Sequence, residues 1–426
     1  MKKVLVITYY WPPSGGSGVQ RWVKFTKYLP LYGWQSVIYT PENPEMPGTD
    51  HSLEADIPEG TTVVKTHISE IYGVYNKLSR GTSAAEVNPI NSQKKSWKKK
   101  LAMWVRGNFF IPDPRISWVG PSVRFLKDYL KDNPVDAIVS TGPPHSMHLI
   151  GRKLSLATGI PWIADFRDPW TKLFYFKHLQ LGPLALRKHQ SLERKVLDDA
   201  TSVVAVSPLV QEEFRSMTDT PVDLVTNGFD EDDFAADVAP AGGFTLVHTG
   251  LFAADGNPLS LWKALADKCL EDKDFERDLH IVLAGKTDRE IISAIEAAGL
   301  GGKLRDKGYL SHSETVKLQK SATALMLPLR REPEYRATLP GKLFEYLGSR
   351  RPVIGIGQSD GAMAKVLSDT GAGQTFEWDD VEGIRLWLDR CYKDPLSTTG
   401  DISAYTRRGT AARMASILDE VASKRD

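Results

Sequence analysis

The stretch TLPGKLFEYLGSRRPVIGIG, residues 338 to 357, carries two side chains whose placement suits a phosphorylated ligand. Pro340 and Gly341 open a helix by pattern, Lys342 falls in its first turn, and Glu345 comes one turn later on the same side. A lysine at the positive end of a helix is disfavoured unless an anion sits nearby. Glu345 could accept two hydrogen bonds from a ribose diol; the bland alternative is a solvated Lys342–Glu345 pair. A second cluster, IADFRDPW at 163 to 170, sets Asp165, Arg167, Asp168 and Trp170 at the end of an apolar run. Two carboxylates around a guanidinium form either an internal ion-pair network or a site for sugar hydroxyls, with Trp170 stacking on a sugar face. Just upstream, STGPPHSMH places His145 and His148 in a loop after another strand, either as surface residues or, for His145, as a catalyst. A third segment, ITYYWPPSGGSGVQRWVKF at 7 to 25, sets Gly15, Gly16 and Gly18 between a strand and a helix. Such glycines can take positive φ and aim helix N-terminal amides at an anion, or they can simply make a tight turn. The spacing is not G-x-G-x-x-G and no acidic residue stands where a ribose contact would fall, which disfavours a dinucleotide dehydrogenase.

The elements that must position these residues alternate along the chain. Apolar runs at 3 to 9, 135 to 141, 160 to 166, 201 to 207 and 222 to 228 have the composition of parallel strands buried on both faces, and YGWQSVIYTP supplies another. Amphipathic stretches lie between them; Val19, Trp22, Val23, Thr26 and Leu29 recur at helical spacing. FDEDDFAADVAPAGG, at 229 to 243, has the acidic and small-residue composition of a linker. The alternation then restarts with strands predicted at 244 to 250, 279 to 285, 322 to 329 and 351 to 357, and a last helix over roughly 402 to 423. Two successive doubly wound α/β halves are the simplest architecture, and such a fold puts ligands outside the carboxyl ends of its strands, here in a cleft between two facing halves.

A chain of 426 residues fits two domains of about 200 residues better than one core. Lysine plus arginine number 54 against 53 acidic residues, so no global charge points to nucleic acid. Cys269 and Cys391 match no metal or disulfide spacing and suit a reducing cytoplasm. The opening MKKVLVITYY has the pattern of a first strand and lacks the cleavage site of a signal peptide. Asp230-Glu231-Asp232 has the letters of a cation-binding DxD, but after Asn227-Gly228-Phe229 it fits an acidic helix start, so no metal is expected there. Between 94 and 110, Lys94, Lys95, Lys98, Lys99 and Lys100 stand beside Trp97, Trp104, Phe109 and Phe110. That mixture suits an anionic membrane surface, or else a solvated helix whose aromatics enter the core.

The order of glycine loop, DFRDPW, VTNGFD, HTG, GYL at 308 to 310 and PGKLFEYLGSRRPVI resembles the GT-B glycosyltransferases of glycosyltransferase family 4 over nearly the entire chain. The resemblance implies an acceptor-binding Rossmann-like domain over 1–230 completed by 406–426, a nucleotide-sugar domain over 231–405, and retaining transfer without a metal or other cofactor. By the same resemblance Gly15 and Gly16 approach the donor diphosphate, Gly250 stands at the phosphate loop, and the backbone around Gly308, Tyr309 and Leu310 holds the base. Glu345 corresponds to the second glutamate of the E-x7-E motif and binds the ribose, while Gly341 and Lys342 face the phosphates. Asp165, Arg167, Asp168 and His145 are the expected catalytic or hydroxyl-orienting group. Two positions depart from the family pattern: Ala337 replaces the first motif glutamate, and Leu251 replaces the usual arginine after Gly250. Lys286, Arg330, Arg331 and Lys342 are the candidates to meet the phosphate charge instead. The implied activity is sugar transfer from a nucleotide diphosphate donor to a glycan or lipid-linked acceptor in cell-surface polysaccharide or glycoconjugate synthesis. It would take place in the cytoplasm, at the inner face of the membrane, with no nucleic-acid partner. A non-hydrolysing sugar-nucleotide epimerase and a non-catalytic nucleotide-sugar-binding scaffold are the alternatives.

Overall fold

The computed structural model describes residues 1 to 425 apart from 47, 70–103, 173–175, 395–397 and 399. The chain divides into two compact units, Met1–Thr226 with Thr410–Asp426, and Asn227–Gly409.

The first unit holds a seven-stranded parallel sheet ordered β3-β2-β1-β4-β5-β6-β7. Its strands are β1 (Lys2–Ile7), β2 (Trp34–Pro41), β3 (Thr62–Thr66), β4 (Ala137–Gly142), β5 (Trp162–Phe166), β6 (Ser202–Ala205) and β7 (Val222–Leu224). Helices cover the sheet, so β4, β5 and β6 are buried along their whole length, which is why their sequences are runs of apolar and small residues without alternation. The helix Arg407–Ala422 enters the first unit's core through Met414, Ile417, Leu418 and Val421, beside Trp22 and Trp34. Truncating Met414 to alanine there would cost about 2–5 kcal/mol.

The second unit repeats the plan with six parallel strands ordered β10-β9-β8-β11-β12-β13. They are β8 (Phe244–Thr249), β9 (Leu279–Ala284), β10 (Leu304–Asp306), β11 (Ala324–Pro328), β12 (Val353–Ile356) and β13 (Gly373–Phe376). In both sheets the order reverses beside the first strand, and the crevice at the carboxyl ends of the strands at that reversal is where an open α/β sheet binds ligands.

Two sequence-based expectations need correction. The stretch at 229 to 243 does not hang free as a linker, because Phe229 and Phe234 are buried in the second unit's core. A methyl group at Gly348, in the last turn of the helix Gly341–Ser349, would collide with both rings, which explains the glycine there. Within it Asp230 caps the short helix Glu231–Phe234, accepting from the Asp232 amide at 3.4 Å, as ordinary acidic capping requires. The alternation of elements also omitted β3, β10 and β13. These are short edge strands whose residues, Phe376 apart, are exposed or half-buried, so they lack the continuous apolar run that marks a central strand.

Candidate functional site

In the second unit Gly250 and Gly285 directly follow β8 and β9, at the carboxyl ends of these neighbouring strands. The Gly250 amide donates to the Ala284 carbonyl at 2.6 Å and the Gly285 amide to the Gly308 carbonyl at 2.6 Å, so three loops are tied edge to edge. Gly250 has φ 87 and Gly285 φ 116, conformations that side chains resist, and a Cβ on Gly285 would strike the Gly250 carbonyl. The tight approach leaves a pocket of ≈ 220 Å³ walled by these loop ends together with Tyr309, Leu310, His312, Thr315, Lys342 and Glu345.

The helix Gly341–Ser349 points its N-terminus at this pocket. Pro340 precedes it, no side chain among the described residues caps it, and its first turn carries no acidic residue. Lys342 lies over Gly250 and donates from Nζ to the Leu251 carbonyl at 2.9 Å. Burial pushes its ammonium down to about 8, with the Glu345 carboxylate pulling the other way. An amine in that state regains full charge when an anion arrives. Glu345 is held by Gln319, whose Nε2 donates to Glu345 Oε2 at 3.0 Å.

Of the donor-site residues expected from sequence, the fold therefore brings Gly250, Tyr309, Leu310, Lys342 and Glu345 together around one pocket, with Gly341 at the helix start beside it. Lys286 is exposed one residue beyond Gly285 and takes no part in the lining. Arg330 is turned to Asp255 at 3.0 Å and over the Tyr335 ring at 5.5 Å, and Arg331 to Asp379 at 3.0 Å; neither lines the pocket. Lys342 alone among the four proposed phosphate cations lies on the pocket wall. Sequence reasoning missed His312, Thr315 and Gln319, all from the helix His312–Ser321. Its Ser311–Glu314 capping box was a readable start signal, but nothing local marked which face turns to the pocket.

In the first unit the glycine loop has structural reasons for its composition. Gly16 stands at φ 103 as the residue before the helix Ser17–Tyr28. Gly15 donates its amide to the Gly48 carbonyl at 2.8 Å, and a Cβ on Gly18 would run into the Arg167 guanidinium. The Gly15 amide is thus committed within the protein.

In the DFRDPW cluster Asp165 takes the internal-network alternative, with a different partner from the expected one. Asp165 is fully buried and pairs with Arg21, not Arg167, through bonds of 3.1 Å from Nε and 2.8 Å from Nη2. Trp22 Nε1 at 2.8 Å and Thr141 Oγ1 at 2.9 Å complete its shell, and Arg21 also donates to the carbonyls of Val225 and Thr226, each at 2.9 Å. Burial alone would raise the Asp165 carboxyl, yet the Arg21 charge and these donors hold it below its ordinary value. A carboxylate so enclosed has no face left for a sugar hydroxyl. Arg167 bonds the backbone carbonyls of Gly18, Pro143 and Gly142, stapling the glycine loop to the ends of β4 and β5. Asp168 is half-buried, and burial pushes its carboxyl up to about 6 against the pull of Arg167. Trp170 does not stack on solvent-facing sugar space, because its ring is buried and lies flat against His145 at 4.7 Å and 1°. His145 is not a surface loop residue either. It precedes the helix Ser146–Thr158, is 6% exposed, and neither ring nitrogen has a hydrogen-bond partner among the described residues. Burial first, and then the neighbouring His148, Arg167 and His189, keep it neutral far below its ordinary pKa.

The lysines Lys94, Lys95, Lys98, Lys99 and Lys100 and Trp97 lie outside the described residues. Of the aromatics with them, Phe109 is 68% and Trp104 41% exposed, packed edge to face at 5.6 Å. They did not enter the core. Among the described residues no helix is long and apolar enough to cross a membrane, and no three His, Cys, Asp or Glu side chains gather as a cation site.

Residues 93–233 match the family described as Glycosyltransferase Family 4. No curated protein matches the chain in sequence. Among solved structures, the lipopolysaccharide outer core galactosyltransferase WaaB in its apo form superimposes with a TM-score of 0.61 at 13% identity, covering 99% of this chain and 100% of that one. Sucrose-phosphate synthase from Thermosynechococcus elongatus gives 0.57 at 14% identity over 100% and 97%. Anabaena HepE in complex with UDP gives 0.55 at 14% over 100% and 98%. At these identities the likeness is one of fold, the GT-B fold of two Rossmann-like domains. The family 4 match lies within 93–233, about a third of the chain.

Proposed function

We propose that the protein is a glycosyltransferase that takes a nucleoside diphosphate sugar in the second unit's pocket and moves the sugar to a glycan or lipid-linked acceptor handled by the first unit. The observation that carries the reading is the pocket itself: an uncapped helix N-terminus, the Lys342 ammonium and the Glu345 carboxylate converge on glycine loops at the ends of β8 and β9. A diphosphate meets the amides and Lys342, Glu345 takes the ribose diol, and the exposed Tyr309 with Leu310 lies where the base would rest. Charge growing on the departing phosphate is stabilised by fixed dipoles and Lys342, which asks for no metal. The bond from the anomeric carbon to the diphosphate breaks while the acceptor oxygen bonds on the same face, and the acceptor's proton leaves with the diphosphate. The configuration is then retained. Lys342 supplies the cation that Leu251 does not, since its Nζ already sits on the Leu251 carbonyl. In the first unit, the Gly16 turn is the candidate for an anion and Asp168 the candidate for orienting a hydroxyl.

Exposed Trp104 and Phe109, beside five lysines in sequence, support a lipid-linked acceptor reached from the inner face of the cytoplasmic membrane, in cell-surface polysaccharide or glycoconjugate synthesis. A second reading, a nucleotide-sugar-binding scaffold without turnover, is favoured by Ala337 and Leu251.

The test is incubation with UDP-, GDP-, dTDP- and ADP-sugars, with and without lipid-extracted glycans, in the presence of a chelator. Acceptor-dependent release of one nucleoside diphosphate, with a product of unchanged anomeric configuration, is the expected result. Donor epimerised without acceptor would make the protein an epimerase, and binding without turnover would make it a scaffold.

A further inference from the structure

A chain of hydrogen bonds under the pocket starts at the end of β8. The Thr249 amide donates to the Tyr346 hydroxyl at 3.0 Å, and Gln319 Nε2 donates both to Thr249 Oγ1 and to Glu345 Oε2, each at 3.0 Å. Gln319 is fully buried, and its Oε1 has no partner among the described residues. Its orientation follows from Glu345, because the reversed amide would set its oxygen against a carboxylate. The two protons of a single amide thus span the strand end that carries Gly250 and the helix that carries Lys342 and Glu345. A buried group that leaves one acceptor unsatisfied is retained at a cost, so its remaining bonds have to matter.

We infer that Gln319 is a positioning residue: it clamps one oxygen of Glu345 so that the other is fixed toward a vicinal diol in the pocket, and it sets that carboxylate in register with the Gly250 loop. The inference rests on the nucleotide reading of the pocket. Free glutamate side chains sample several rotamers, and a carboxylate held on one oxygen presents the other at one angle. Discrimination for a ribose over a sugar lacking its hydroxyls then belongs to the pair Gln319–Glu345 and not to Glu345 alone.

Two variants of similar size test this, Gln319→Met, which removes both donors, and Gln319→Glu, which sets a second carboxylate against the first. Calorimetry compares UDP, GDP and ADP with their 2′,3′-dideoxy counterparts. For the nucleotide that binds, the preference for ribose falls tenfold or more in both variants while dideoxy affinity moves less than twofold. An equal loss for both forms would reduce Gln319 to a structural residue and overturn the inference. A crystal structure of ligand-free Gln319→Met gives an independent reading: the Glu345 carboxylate leaves its position if the clamp is real and stays if it is not. Should the wild type bind none of these three nucleotides, the ribose-diol reading of Glu345 fails, and the crystal structure alone decides the clamp.

Discussion

Replacing Asp165 by asparagine separates a structural carboxylate from a sugar-orienting one. The substitution keeps the shape and an acceptor for Trp22 and Thr141 but removes the charge that faces Arg21, whose own side chain is 1% exposed. An uncompensated guanidinium is left in the core, where breaking a buried pair costs about 3–5 kcal/mol. At roughly 2–4 °C per kcal/mol for a domain of this size, the first unit's melting point should drop by about 6–20 °C. Two further results are expected. The double variant Arg21→Met/Asp165→Asn should recover part of the loss, since the stranded charge is gone. In the wild type, whose Asp165 carboxyl is depressed on folding, the stabilisation is present above the ordinary carboxylate range and is lost only as pH falls through the folded value. Differential scanning calorimetry with parallel transferase kinetics measures both. An unchanged melting point together with a raised KM for acceptor would refute the reasoning and return Asp165 to the substrate.

Three other outcomes follow from the same geometry. Because the Lys342 ammonium is pushed down to about 8, nucleoside diphosphate affinity should be level below that pH and fall about tenfold per unit above it. Lys342→Met should bind about 10- to 100-fold more weakly at pH 7, without that slope, as titration calorimetry across pH 6.5–9.5 would register; equal slopes would remove Lys342 from the phosphate. Asp168, pushed up to about 6, holds a proton in the folded state that the unfolded chain releases near 3.8, so its ionisation destabilises the fold progressively between those values. Asp168→Asn should therefore gain stability relative to wild type at pH 7 compared with pH 4, by up to ~3 kcal/mol in thermal unfolding, and a pH-independent difference would contradict this. Trp104→Ser/Phe109→Ser should lose binding to vesicles containing anionic phospholipid while keeping the wild-type melting point, with the residual binding abolished by salt; unchanged sedimentation with vesicles would remove the membrane contact.

The central strands were legible because burial on both faces forces continuous apolar runs, as in β4 and β9. The helix start at Gly341 and the pair Lys342–Glu345 were legible for a different reason: their spacing is local, and one helical turn brings them to a common side. What escaped was non-local. Asp165 has its partner Arg21 at a separation of 144 residues, and no pattern within IADFRDPW distinguishes that pair from one with Arg167 two residues away. Trp170 looked like a sugar platform because a tryptophan at a strand end fits either role, and only packing shows His145 lying on its face. Gln319 was invisible for a similar reason: a polar residue in a weakly patterned helix gives no sign that it is fully buried.

Calorimetric titration of UDP, GDP, dTDP and ADP into the wild type, Glu345→Ala and Lys342→Met tests the donor pocket most directly. One nucleotide class should bind the wild type and lose at least tenfold in each variant while the fold, followed by melting temperature, is kept. Binding that neither substitution weakens, or no binding of any of the four, would contradict the assignment of the donor to the second unit's pocket.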